Sequence, residues 1–69
     1  MIIFKIDKLL KEHNMSRYRL QKLTNWNYQR INAYFFGNVI EINVAELDML
    51  CKLFNCSISD IVEFKNDKE

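Results

Sequence analysis

The side chains best equipped for chemistry fall into two clusters, and neither is suited to making or breaking bonds. Arg17, Tyr18, Arg19 and Lys22 combine three cations with a phenol, groups that hold phosphate oxygens. Asn27, Tyr28, Gln29, Arg30, Asn32 and Ala33 follow closely. Gln29 and Asn32 carry the paired donor and acceptor that fit an adenine edge, Arg30 fits guanine or phosphate, and Ala33 can meet a thymine methyl. Catalytic alternatives find little purchase. The one imidazole, His13, has only Asp7 and Glu12 as nearby acids in sequence and is expected as a half-buried helix residue. There is no glycine-rich phosphate loop and no nucleophile elbow. Cys51 and Cys56 lack a second pair, so no zinc site is expected. They are read as buried packing residues, and neither a metal nor a cofactor is implied.

The spacing around both clusters predicts two short helices joined by a tight turn over residues 16–37. Ser16 caps the first, with Leu20 and Leu23 on its inner face. Asn25 tolerates the left-handed conformation that ends a helix. Trp26 turns inward, and Asn27 caps a second helix over residues 28–36. Ile31 and Tyr34 face inward from that helix, which stops at Gly37, the only glycine. Tyr28, Gln29, Arg30, Asn32 and Ala33 are left facing outward. Helix, turn, helix with polar residues at the head of the second is the layout that enters a major groove, while the preceding helix crosses the backbone. Asn27 and the amides beside it add a phosphate site.

The remaining elements repeat one start signal. An apolar residue, a polar cap and a second apolar residue four positions past the cap recur as Met15–Ser16–Leu20, Trp26–Asn27–Ile31, Ile42–Asn43–Leu47 and Cys56–Ser57–Ile61. Each is a hydrophobic staple. A first helix is expected from an Asp7 cap to about His13, stopping at Asn14. A fourth runs from Val44 to Phe54, with Leu47, Leu50, Phe54 and Cys51 inward, and a fifth from Ile58 to about Val62. Residues 1–6 alternate as a short strand, and residues 62–65 form a second that pairs with residues 2–5. Residues 66–69 read as a frayed polar tail.

The third residue of each of these four helices separates two halves of the chain. Glu46 and Asp60 complete capping boxes in the last two helices. Arg19 and Arg30 instead put cations at helix starts, which is unfavourable by about 0.3–1 kcal/mol. A local rule broken there marks either a functional surface or a merely solvated charge. Residues 1–38 hold seven Lys and Arg against Asp7 and Glu12, a balance of +5, whereas residues 39–69 hold three against seven acids, a balance of −4. One face suits a polyanion and the other turns away from it.

At 69 residues, 49% hydrophobic and 28% charged, the chain is one globular domain over residues 1–69. No proline and one glycine favour helix. No apolar run reaches membrane-spanning length and no signal pattern opens the chain, so a cytoplasmic protein without a membrane partner is expected.

Ser16, Leu20, Asn25–Trp26–Asn27, Ile31, Tyr34 and Gly37 resemble the lambda-repressor-like (Cro/XRE-type) helix-turn-helix family of small DNA-binding regulators. CKLFNCSISDIVEF, residues 51–64, is similar to that family's closing helix pair. The resemblance covers nearly the whole chain. It implies an all-α, compact five-helix domain, here with a two-stranded ribbon joining the terminal segments. It further implies a transcriptional regulator that binds double-stranded DNA, as a homodimer on a palindromic operator, of the kind found in phages and mobile elements. Tyr28, Gln29 and Ala33 match positions that read bases in the family, and Arg17 one that contacts phosphate.

Three departures from the family pattern stand out. Gln21 and Asn25 replace a small residue and a glycine near the turn. Leu10 and Phe35 replace an Arg–Glu pair between the first and third helices and are expected to touch. Phe36, Val39 and Ile40 stand where backbone-clamping polar residues are usual, and serve either as packing or as a protein interface. An alternative reading is therefore a protein-binding module on the same scaffold, such as a phage anti-repressor or an inhibitor of a host defence protein.

Overall fold

The core is assembled from every helix. Ile6, Leu9 and Leu10 meet Leu20, Ile31, Tyr34, Leu50, Phe54 and Ile61, all buried. The computed structural model describes residues 1–66; residues 67–69, most of the expected polar tail, lie outside the described residues. In chain order the elements are β1 (Ile2–Phe4), α1 (Ile6–Glu12), α2 (Arg17–Thr24), α3 (Tyr28–Phe36), α4 (Val44–Phe54), a 3-10 turn (Ile58–Asp60) and β2 (Val62–Phe64).

Among the described residues there are thus four α-helices where five were expected. The capping contacts at Ser57 do form, with the Asp60 carboxylate accepting from the Ser57 N–H and hydroxyl, both at 3.1 Å. The helix cannot propagate because the chain is recruited elsewhere. The Ile61 carbonyl accepts from the Lys5 N–H at 2.7 Å, and Val62 pairs at once with Phe4. The expected ribbon is present: β1 and β2 run antiparallel, with Ile2 opposite Phe64, Ile3 opposite Glu63 and Phe4 opposite Val62.

Helix α1 starts one residue before the expected Asp7 cap. Lys5 occupies the cap without a side-chain bond, since β1 hands the chain directly into a helix whose first residue, Ile6, must be buried. Ser16, Asn27 and Asn43 cap as expected. Asn14, Asn25, Asn55 and Gly37 close their helices at φ between 52° and 73°. A Cβ at Gly37 would meet no neighbouring atom, so the backbone angle alone favours glycine there.

Several side chains depart from expectation. Leu23 is 44% exposed, and Thr24 takes its place inside. On an α-helix the fourth residue after Leu20 lies about 40° off its direction and the third about 60° off, so Thr24 is the better aligned despite its hydroxyl. That hydroxyl is satisfied: it donates to the Leu20 carbonyl at 2.9 Å and accepts from the Trp26 N–H at 3.3 Å. Ile42 stays exposed. Leu47, Cys51 and Cys56 are half-buried against the core rather than within it. Burial raises the pKa of the Cys56 thiol, which suits packing better than reactivity. His13 is exposed rather than half-buried, its ring tilted against Phe54 at 5.0 Å.

Candidate nucleic-acid interface

Two helix starts and the turn between α2 and α3 build the candidate surface. The Ser16 hydroxyl accepts from the Arg19 N–H at 3.1 Å, and the Asn27 side-chain oxygen accepts from the Arg30 N–H at 2.8 Å. The angle between α2 and α3 is braced from inside. Trp26 stacks on Tyr34 with ring centres 5.6 Å apart, and the Gln21 amide donates to the Trp26 carbonyl at 3.0 Å. Gln21, longer than the usual small residue, thereby ties the turn back to α2. With Asn25 closing α2 at φ 61°, both departures near the turn have local structural roles.

This frame leaves Tyr28 and Gln29 exposed at the head of α3, with Asn32 and Ala33 half-exposed one turn later. On α2, Tyr18, Arg19 and Lys22 are exposed, with the Lys22 ammonium 5.2 Å from the centre of the Tyr18 ring. Asn27 is exposed as well as capping. Arg17 bridges the two helices: its guanidinium donates to the Asn32 side-chain oxygen at 2.8 Å and lies 4.6 Å from the centre of the Phe35 ring. Leu10 and Phe35 border one shallow groove together with Met15 and Arg17.

Arg30 behaves differently from the other cations. Its Nε donates to both oxygens of Glu46, at 2.9 and 3.1 Å, and its Nη2 donates to the Glu41 carbonyl at 3.1 Å. The Tyr34 hydroxyl donates to the same carboxylate at 3.0 Å. These contacts tie α3 to α4. The Glu46 hydrogen bond raises the Arg30 pKa. Burial, helped by Glu46, pushes Tyr34 up to about 12. Glu46 therefore does not close the expected capping box; the Asn43 side chain alone caps α4, accepting from the Ala45 and Glu46 N–H groups. Neither Glu46 as a partner of Arg30 nor Thr24 as a core residue was found from sequence. The only hint was that Arg30 and Glu46 hold equivalent positions in their helices with opposite charge.

Residues 5–67 match the model of the Cro/C1-type HTH DNA-binding domain. The chain belongs to this family. No curated protein matches it. As a Cro/C1-type domain it is a DNA-binding fold, with double-stranded DNA as the partner that the family indicates. Among the described residues no group of three or more His, Cys, Asp or Glu is arranged to hold a metal, and no helix is long and apolar enough to cross a membrane. In the 36–40 segment of this Cro/C1-type domain the three apolar residues divide. Val39 packs on the core, whereas Phe36 is 60% and Ile40 96% exposed.

Proposed function

We propose that the chain is a sequence-specific transcriptional regulator that occupies a palindromic operator as a dimer, with α3 in the major groove. The observation that carries this reading is the arrangement at the head of α3. Tyr28 and Gln29 project into solvent from a helix whose opposite side is anchored by Ile31, Tyr34 and Trp26, while Arg19 and Lys22 stand exposed on α2 beside it. Tyr28, Gln29, Asn32 and Ala33 are assigned to base edges, with Arg17 held beside Asn32, and Tyr18, Arg19, Lys22 and Asn27 to phosphates. Arg30 is reassigned from base reading to holding α3 against α4, because its donors are already directed at Glu46 and Glu41. Exposed apolar side chains, Phe36 and Ile40 on one segment and Ile2, Ile58 and Phe64 on another, supply surface for a second copy.

Binding to random duplex DNA across a salt series tests the reading. Arg19→Ala is expected to weaken binding evenly across sequences and to lower the salt slope by about one, whereas Gln29→Ala relaxes selection at one position. A dimer would protect two half-sites about one helical turn apart. Absence of binding at low salt by folded protein would sink the proposal and leave a protein partner for Phe36 and Ile40 as the better reading.

A further inference from the structure

The contact between Arg17 and Asn32 has a polarity set by chemistry alone. Arg17 Nη1 lies 2.8 Å from Asn32 Oδ1. A guanidinium carries five donors and no acceptor, so the amide atom facing it must be oxygen and the two ends of the Asn32 amide cannot exchange. The guanidinium is itself held, 4.6 Å from the centre of the Phe35 ring and 5.4 Å from that of Phe36. Both residues remain half-exposed.

We infer that Arg17 converts Asn32 into a donor, so that the pair reads guanine rather than adenine at the base pair Asn32 faces. The inference rests on the proposed seating of α3 in the major groove. Recognition of adenine by asparagine needs the amide to donate to N7 and accept from the N6 amino group together. Here one lone pair of the oxygen is engaged by a cation, and an amino group approaching the other lone pair is repelled by the positive guanidinium beside it. The groups free of that repulsion are Asn32 Nδ2 and the unspent N–H groups of Arg17, all of them donors. Guanine offers two acceptors, N7 and O6, along one edge of the major groove, whereas cytosine offers a donor there and thymine a single acceptor beside a methyl. The two phenylalanine rings order the pair before DNA arrives, which reduces the side-chain entropy lost on binding.

Selecting sites from a random duplex library with the full chain, and then with Arg17→Met and Asn32→Asp, tests this. The methionine keeps length and apolar contact on Phe35 while removing every donor. Wild type is expected to enrich guanine at one position of each half-site. Arg17→Met is expected to enrich adenine there, a swing of about tenfold in relative affinity between matched duplexes. Asn32→Asp, which can only accept, is expected to lose the guanine preference and carries the test if Arg17→Met does not fold. Adenine selected by wild type would overturn the inference. So would an unchanged base in the folded variants, the result expected if the pair grips phosphate alone. Loss of all salt-dependent binding by wild type would instead bring down the proposed function and this inference with it.

Discussion

Arg19 and Arg30 occupy the same place in two successive helices, the third residue, where a cation opposes the positive helix end. Their fates differ. Arg19 stays exposed to solvent on the helix that also exposes Tyr18 and Lys22. Arg30 is met by Glu46, the third residue of α4, with side-chain exposures of 29% and 18% for the two partners. Among the described residues the acidic half of the chain thus supplies a counter-charge to α3 and none to α2. One unfavourable placement is neutralised and ties α3 to α4; the other stays exposed, where the proposed function assigns it to phosphate. A broken local rule therefore has two meanings, and burial distinguishes them.

Breaking the bridge should give the largest effect. Glu46→Ala strands the Arg30 guanidinium in a partly desolvated site and removes the acceptor for Tyr34. A loss of about 2 kcal/mol in urea denaturation is expected, below the full cost of breaking a buried pair because both partners retain some exposure. Tyr34 offers a milder and reversible probe. Its folded pKa, pushed up to about 12, exceeds the ordinary value near 10, so the native state holds a proton that the unfolded chain releases. The associated stability is intact below about pH 10 and is lost as pH rises toward about 12. Tyr34→Phe should cost about 1 kcal/mol at neutral pH and flatten the alkaline fall, measured by chemical denaturation at each pH.

The caps sharpen the comparison without touching charge. Asn27→Ala and Asn43→Ala should each cost about 1 kcal/mol in thermal or urea melts, but only Asn27→Ala should weaken DNA binding, since only that cap stands at the proposed interface. The smallest stability effect has the opposite sign. Arg19→Glu places an anion at the start of α2 and should stabilise the fold by about 0.3–1 kcal/mol, while weakening duplex binding at every salt concentration. A variant that gained stability and kept its affinity would show Arg19 to be a solvated charge and nothing more.

What could be read from sequence was what is decided within a few residues. Ser16, Asn27 and Asn43 cap because their side chains reach amides two or three residues ahead, and Asn25, Asn55 and Gly37 close helices because they accept a left-handed backbone. The ribbon was also legible, since short β-type apolar patterns at both ends of the chain left few other partners. Most of the rest was set by tertiary contacts. Glu46 had a local use at its own helix start and a distant one at Arg30, and sequence spacing exposes only the first. The last helix had its capping contacts but lost its continuation to β1, a competitor nearly sixty residues away in sequence. Leu23 was placed inside on polarity, yet Thr24 points more directly at the core and its hydroxyl found partners. At the candidate interface Tyr28, Gln29, Asn32 and Ala33 were identifiable by periodicity, whereas Arg30, expected outward with them, is held by Glu46. The Arg17–Asn32 contact that orients one of them was not identifiable, because it joins two helices.

The ribbon has a mechanical consequence. The Met1 ammonium donates to the Lys65 carbonyl at 2.5 Å, and the Lys65 N–H returns to the Met1 carbonyl at 2.8 Å, so both ends of the described chain leave the domain at one point. A load pulling residues 1 and 66 apart acts across the antiparallel strands and opens their hydrogen bonds one after another, like a zipper, instead of shearing them all at once. The ribbon is then a low-force release placed ahead of the helical core, and it yields before tension reaches the turn that carries α3.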